Sequence, residues 1–358
     1  MLAPGGSVTY LTNAWYVAAL PDEIGVVPLA RTLLDVPTVL FRTEAGRLVA
    51  LLDRCPHRFV PLSRGKVQGE TIACAYHGLR FDHAGACVFN PHGDTIPRGS
   101  AVRGFPVIER HGFVWIWPGD PARADPAALD LAMFGFLEQP ERFTAVRGYL
   151  RVAAHYQLVH DNLLDLSHVE FLHPMLARSE GVAAHRAEMI QQGDVVRVNR
   201  WKPASSLNGF ARLFWTSPSP IGDGRANITW APPSMLHIDL GVTEVGASVE
   251  DGVCTPAAHL ITPETAFTCH YFWAQARNRG LDDEALSQRV WSAVDAVFRT
   301  EDEPMIEAQQ VAMGPVADVM ALRPLLLEPD APAVRARRIL ARLIAEEAQQ
   351  AGTQQQAV

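Results

Sequence analysis

The chain has 358 residues, of which 48% are hydrophobic and 20% charged, with a formal net charge of −8. It is long enough for two domains, and its composition is ordinary for a globular protein. No long basic run points to nucleic acid, and no apolar run approaches the ~20 residues needed to cross a bilayer. The apolar stretch from Val8 to Leu20 is interrupted by Thr9, Thr12 and Asn13 and has no Lys or Arg before it, so a signal peptide is not expected. Cys55, Cys74, Cys87, Cys254 and Cys269 are an odd set of five, which disfavours a disulfide framework and suits a reducing, cytoplasmic protein.

From about Asn13 to Pro118 the chain reads as short β segments separated by turn residues. Thr38–Phe41, Leu48–Leu52 and Gly112–Trp117 are rich in β-branched and aromatic residues and are bounded by Gly, Pro and Asp. Within this region lies Cys55-Pro56-His57, followed after sixteen residues by Cys74-Ala75-Tyr76-His77. Two thiolates and two imidazoles are the ligands of a Rieske [2Fe–2S] cluster, in which the cysteines hold one iron and the histidines the other. Two Cys and two His also suit tetrahedral zinc. Zinc fingers usually pair Cys with Cys and His with His along the chain, whereas here each short element contributes one of each. That order suits two loops closing on a two-iron cluster from opposite sides.

Pro118-Gly119-Asp120-Pro121 carries strong turn chemistry. We therefore expect one domain over 1–118 and a second over 119–358, joined through an Ala- and Pro-rich connector. The second region is mixed. A helix is predicted around Tyr156–Leu172, strands at Ala226–Trp230 and Thr268–Ala274, a long helix over Asp282–Gln310, and another from Ala333. Pro304 is expected to kink or interrupt the long helix near its end. The fold class is therefore α+β.

The predicted helix around Tyr156 contains Asn162, Asp165, His168 and His173. Two imidazoles and a carboxylate with open positions form the facial triad of non-haem iron oxygenases. His173 lies five positions after His168, which is ~140° around a regular helix, so both reach one metal only if the helix ends or distorts between them. Pro174 favours an end directly after His173. Asp165, one turn before His168, is placed to hydrogen-bond its ring. The third ligand should be a distant carboxylate. Asp302 lies four residues after Phe298 and four before Ile306, on one predicted face, and is preferred to Glu301 and Glu303, which are expected to be solvated. The His-x₄-His spacing is weak alone and gains force beside an electron relay that needs an acceptor.

Together, C-P-H-R…C-x-Y-H-G, N-L-L-D-x-x-H-x-x-x-x-H and E-D-x-x-M-I-E resemble the Rieske non-haem iron aromatic oxygenases. The branch they are most similar to contains the oxygenase components of vanillate and dicamba O-demethylases and toluenesulfonate methyl-monooxygenase. Asn13–Ala18, Thr262–Thr265 and Ala276–Asn278 support this resemblance, which covers nearly the whole chain. It implies an all-β Rieske domain followed by a catalytic domain of antiparallel sheet flanked by helices. It implies that Cys55, His57, Cys74 and His77 hold the cluster, and that His168, His173 and Asp302 hold a mononuclear Fe(II). Asp165 would link one subunit's cluster to the iron site of its neighbour in a head-to-tail homotrimer, and Asn162 would lie near the iron.

By the same resemblance, a separate NAD(P)H-dependent reductase of flavin or ferredoxin type supplies electrons, and O₂ oxidises a small aromatic acid. The expected reaction is O-demethylation of a methoxybenzoate, ahead of methyl or ring hydroxylation of an aromatic carboxylate or sulfonate. No dinucleotide-binding Gly fingerprint is present in the chain itself. His237 and His259 are candidate hydrogen-bond donors to the substrate. A non-catalytic Rieske electron carrier and a zinc-stabilised binding protein remain as alternatives of other classes.

Overall fold

The computed structural model describes residues 10–129, 132–177 and 187–356. The chain forms two compact units. One comprises Tyr10–Asp130 with Thr262–Thr265, and the other the described parts of Leu131–Ile261 and Ala266–Val358.

The first unit is built from three small antiparallel sheets. Its strands are β1 (Tyr16–Ala19), β2 (Leu29–Leu33), β3 (Val36–Arg42), β4 (Leu48–Leu52), β5 (Lys66–Gln68), β6 (Thr71–Ala73), β7 (Arg80–Phe81), β8 (Cys87–Phe89), β9 (Val107–Arg110) and β10 (Phe113–Ile116). The sheet orders are β1-β10-β9, β2-β3-β4 and β5-β6-β7-β8. Val39, Phe41, Val49, Leu51, Ile72 and Phe81 form a core that also takes in Cys55 and Cys74. Burying each large apolar side chain of this kind contributes roughly 1.5–3 kcal/mol.

The expected connector after Pro118 folds onto this unit. The Trp15 indole donates to the Asp125 carbonyl (2.9 Å), the His111 ring bonds the Leu129 carbonyl (3.0 Å), and Leu129 is fully buried. Strong turn residues end the last strand, but the apolar side chain of Leu129 keeps the following segment on the same core. The compact unit thus extends to Asp130 rather than stopping at Pro118.

The second unit contains β11 (Thr144–Val152), α1 (Tyr156–Leu164), α2 (Val169–Leu172), β12 (Glu188–Gln192), β13 (Val195–Asn199), β14 (Trp201–Ser206), α3 (Gly209–Arg212), β15 (Ile221–Ala231), β16 (Met235–Thr243), β17 (Val253–Cys254), β18 (Ala257–Thr265) and β19 (Thr268–Arg277). The last four residues of β18 group with the first unit. Helices α4 (Glu284–Val297), α5 (Glu303–Met313) and α6 (Ala331–Gln356) follow. Among the described residues the strands form one nine-stranded sheet of order β11-β19-β18-β16-β15-β13-β12, with β14 on β15 and β17 on β16. Helix α4 packs on β11 and β19, and α6 packs on α1 and β13.

Two local irregularities set up the site. The helix expected over Tyr156–Leu172 is two helices, because α1 ends at Asp165 with φ −111° and ψ 100°. The Asp165 carboxylate turns back to accept from the Ser167 backbone N–H (2.7 Å) and hydroxyl (2.9 Å), a local turn that competes with helix continuation. Further on, α4 and α5 are not broken at Pro304. They are joined by a π turn over Phe298–Asp302, in which the Glu303 N–H donates to the Phe298 carbonyl. Proline has no N–H to give to the preceding turn, and widening that turn by one residue accommodates it without a break. Phe298, Asp302 and Ile306 are all buried, as their spacing predicted.

Candidate metal centres

The two Cys/His loops are built on the same backbone turn. After β4, the Cys55 N–H donates to the Val60 carbonyl and the Phe59 N–H donates to the Cys55 carbonyl, each at 2.9 Å. After β6, the Cys74 N–H donates to the Leu79 carbonyl (2.9 Å) and the Gly78 N–H to the Cys74 carbonyl (3.0 Å). The fourth residue after each cysteine is left-handed, Phe59 at φ 61° and Gly78 at φ 73°. Glycine takes that conformation freely, whereas Phe59 takes it at a steric cost that the surrounding turn must offset. Asp53 ties the ends of the first loop, its carboxylate accepting from the Ser63 N–H (2.7 Å) and hydroxyl (2.6 Å).

The turns pair like with like. Cys55 and Cys74 are buried on the apolar core, while the His57 and His77 rings meet at 4.4 Å nearer the surface. Two thiols together and two imidazoles together suit a two-iron cluster with sulfur ligands on one iron and nitrogen ligands on the other. Burial, with the Cys74 thiol adding to it, pushes Cys55 up to about 11, so ligation there must release protons. His77 is lowered, first by desolvation and then by His57, Arg58 and His92, which favours the neutral imidazole that a metal needs.

In the second unit, His168 precedes α2 and His173 ends it, with φ −114° and ψ 91°. Because α2 is a single turn and His173 leaves it in extended backbone, the two rings meet with centroids 5.1 Å apart, and the break expected between them lies instead before His168, at Asp165. Their Nε2 atoms lie 3.6 and 3.3 Å from Asp302 Oδ1, and the three ligand atoms are all within 4.8 Å of one another. Asn162 Nδ2 donates to the same Asp302 oxygen at 2.9 Å. The site is deep: His173 and Asp302 are almost fully buried.

A second layer sets the tautomers. His168 Nδ1 donates to the Asp165 backbone carbonyl (2.5 Å), and His173 Nδ1 donates to Glu301 Oε2 (2.6 Å). Both Nε2 lone pairs then face a carboxylate, and a cation between them is what this donor set fits. The electrostatics agree for His173. Burial lowers it, but hydrogen bonds and charge from Asp302 and Glu301 more than offset this and raise it overall. His168 is lowered by burial, with Asp302 opposing.

Two expectations are corrected. The Asp165 carboxylate does not bond the His168 ring. Its backbone carbonyl does, and the carboxylate serves the turn and faces Arg200 at 3.8 Å. Glu301 is not a solvated residue but the partner of His173. Neighbours on a regular helix point roughly 100° apart, and the wider π turn at Phe298–Asp302 lets Glu301 and Asp302 serve one ring between them. The only signal for this was the Glu-Asp pair one and two residues before Glu303-Pro304.

The donors open onto a cavity of about 190 Å³. Its wall is mainly apolar, with Ile238, Leu240 and Val242 from β16 and Val294, Val297 and Phe298 from the α4 side. His259 also lines it, its Nδ1 2.8 Å from the Tyr271 hydroxyl. Burial and then His237 push His259 down to about 3, so the ring stays neutral. Burial holds the Tyr271 hydroxyl protonated, and in the tautomer where it donates to Nδ1 the neutral ring carries its single proton on Nε2. His237 does not line the cavity. It points to the opposite face of β16 from Ile238, as strand alternation dictates, and stacks on Phe136 at 5.4 Å. Phe272 and Trp273 are fully buried core, and Trp291 donates its indole N–H to the Arg147 carbonyl.

A cysteine/histidine-loop β unit joined to an antiparallel-sheet unit with a two-His, one-carboxylate centre defines a two-centre iron oxygenase. The comparisons agree. Residues 14–106 match the Rieske [2Fe-2S] domain, and residues 152–346 match the vanillate O-demethylase oxygenase C-terminal domain. The chain is 38% identical over 339 residues to the oxygenase component of dicamba O-demethylase from Stenotrophomonas maltophilia, covering 94% of this chain and 98% of that protein. It is 39% identical over 334 residues to the oxygenase component of chloroacetanilide N-alkylformylase from Rhizorhabdus wittichii, covering 92% and 94%. A crystal structure of dicamba monooxygenase with non-heme iron and dicamba superposes with a TM-score of 0.82 at 37% identity, covering 96% of this chain and 99% of that one. The chain belongs to the Rieske non-haem iron oxygenases, as an oxygenase component that uses a [2Fe–2S] cluster and a mononuclear iron, with a separate reductase partner. No helix among the described residues is long and apolar enough to cross a membrane.

Proposed function

We propose that this oxygenase component oxidises a small aromatic acid, by O-demethylation of a methoxybenzoate. The observation that carries the reading is the convergence of His168, His173 and Asp302 at one end of a small, mainly apolar cavity with His259 on its wall. In this reading Cys55, His57, Cys74 and His77 hold the cluster, and His168, His173 and Asp302 hold the iron. When bound, the two groups supply electron relay and O₂ activation for insertion into a C–H bond. The chain's own residues do the rest. Asn162 and Glu301 fix the orientations of Asp302 and His173, the apolar wall excludes water and seats the ring, and the His259 Nε2–H donates to the acid group. Oxygen inserted at a methoxy carbon leaves a hemiacetal that collapses to a phenol and formaldehyde.

The reductase is proposed to be NAD(P)H-dependent and of flavin or ferredoxin type, and the compartment cytoplasmic, which suits an odd set of five cysteines with no disulfide among the described residues. The assembly is proposed to be a head-to-tail homotrimer, with Asp165 linking one subunit's cluster to its neighbour's iron. Phe59 and Tyr76 beside the cluster loops and Phe171 between the iron-site histidines are exposed apolar side chains of the kind that contact between copies covers. In that reading, Asp165→Asn should uncouple turnover with both metals still present.

The test is O₂ uptake with a generic reductase against methoxybenzoates, chlorinated anisates, arylsulfonates and a chloroacetanilide, with formaldehyde assayed. Stoichiometric formaldehyde from a methoxybenzoate supports the reading. Coupled uptake without formaldehyde replaces it with methyl or ring hydroxylation.

A further inference from the structure

We propose that a groove on the iron–sulfur unit, lined by Arg64, Lys66 and Arg80 beside Cys74, is the docking surface for an acidic electron-transfer protein. The inference rests on the reading that Cys74 is a cluster ligand. The groove runs from the turn before β5, past the β6–β7 loop, to Phe89 of β8. Three cations and no acidic side chain line it, in a chain whose net charge is −8. By contrast, Arg31, Arg42, Arg225, Arg299, Arg337 and Arg342 each pair with a carboxylate. Arg64 and Lys66 are exposed, and neither has an ion-pair partner among the described residues. A cluster of unmatched positive charge on an acidic protein produces a local field that attracts an acidic partner and orients it.

The shape suits a brief protein encounter. The Arg80 guanidinium lies over the Phe89 ring at 4.6 Å, and Phe89 is 42% exposed, so an apolar spot adjoins the cations at the β8 end of the groove. Protein interfaces combine apolar and charged surface, and redox encounters lie at the small end of the size range. Gly65 lets the turn before β5 lie directly against Ala73, next to Cys74. A Cβ there would sit 2.0 Å from the Ala73 carbonyl oxygen. The groove therefore lies close above one of the sulfur ligands, on a path for the incoming electron that differs from the exposed imidazole side.

The experiment uses the full-length holoprotein and a reduced plant-type [2Fe–2S] ferredoxin, an acidic donor, as the probe. Stopped-flow reduction of the Rieske absorbance and equilibrium binding by fluorescence anisotropy are measured for wild type, Arg64→Glu/Lys66→Glu, and that variant with Arg80→Gln added. The exposed pair Arg335→Glu/Arg338→Glu, on α6, matches the charge change elsewhere. The groove variants should be reduced about tenfold or more slowly at low salt, bind correspondingly weakly, and show a flattened salt dependence. Their reduction by dithionite and their Rieske EPR signal should match wild type. Unchanged ferredoxin rates, or an equal loss in the α6 pair, would overturn the proposal. So would an altered oligomeric size with ferredoxin binding intact, which would make the groove a contact between copies. If wild type reduced by dithionite shows no Rieske signal, the cluster assignment itself fails, and that result is distinct from normal cluster reduction with an indifferent groove.

Discussion

The two candidate metal-binding regions solve one problem in opposite ways. The Cys/His loops sit only sixteen residues apart, and each is a short turn that closes its own hydrogen bonds between Cys55 and Val60 or Cys74 and Leu79. The second centre draws His168 and His173 from the two ends of the one-turn α2 and Asp302 from a π turn far along the chain. The first places its sulfur donors in the core and its imidazoles toward the surface. The second buries its carboxylate and one imidazole and keeps an apolar cavity beside them. A centre that exchanges electrons with other proteins needs an accessible edge, whereas one that handles substrate and O₂ needs water kept out. Local turns suffice for the former, and a cavity walled by both sheet and helix is needed for the latter.

Removing ligands tests that independence most severely. His173→Ala or Asp302→Ala should abolish turnover, by at least about 100-fold, because even partners of ligands are worth 10–100-fold. The Rieske absorbance should persist, and bound iron should fall from about three to about two per chain. Loss of the Rieske spectrum in those variants would mean that the two regions do not assemble separately.

Glu301→Ala asks whether the second layer matters as the geometry says. Losing the partner of His173 Nδ1 should weaken Fe(II) binding by roughly 10–100-fold in a metal titration while leaving the fold intact. An unchanged affinity would return Glu301 to the solvated role first expected of it. On the other side, Asp53→Ala removes both ties to Ser63 and should cost about 1.5–3 kcal/mol in a denaturant melt and speed cluster loss. The mononuclear iron should be unaffected, and a parallel loss of it would break the comparison.

The smallest effect separates the two histidines proposed from sequence. Burial pushes His155 and His237 down to about 4 and His259 to about 3. Each is depressed below its unfolded value near 6.5, so the unfolded chain takes up protons first as pH falls. Their stabilising effect is complete above that pH and drains away between about 6.5 and 4 for His155 and His237, and down to about 3 for His259. His237 also buries an Nε2 with no hydrogen-bond partner among the described residues. His237→Phe should therefore stabilise by about 1 kcal/mol, flatten the acid limb in urea melts at pH 7 and pH 5, and leave KM unchanged. A raised KM would place His237 in substrate binding after all. His259→Phe should do the reverse and raise KM.

What could be read in the sequence is what travels locally along the chain. Cys-x-His and Cys-x-x-His in Gly- and Pro-bounded turns, the strands β3, β4 and β10, and the helix end at His173 before Pro174 all follow from spacing and short-range sterics, whereas the break expected between His168 and His173 falls before His168, at Asp165. Even Asp302 followed from its period with Phe298 and Ile306. What the sequence could not show depends on where distant groups meet. Asp165 was read as a side-chain partner because spacing does not say whether carboxylate or carbonyl will face a ring once a turn forms. Glu301 was missed because a π turn, and not the regular helical period, decides that two adjacent acids share one imidazole. His237 and His259 look alike as letters, yet pleat and register send one to Phe136 and the other to the cavity. Only the assembled sheet, with α4 and α5 closing over it, decides which polar atoms face the iron site, because burial and hydrogen-bond partners arise between segments the chain keeps far apart.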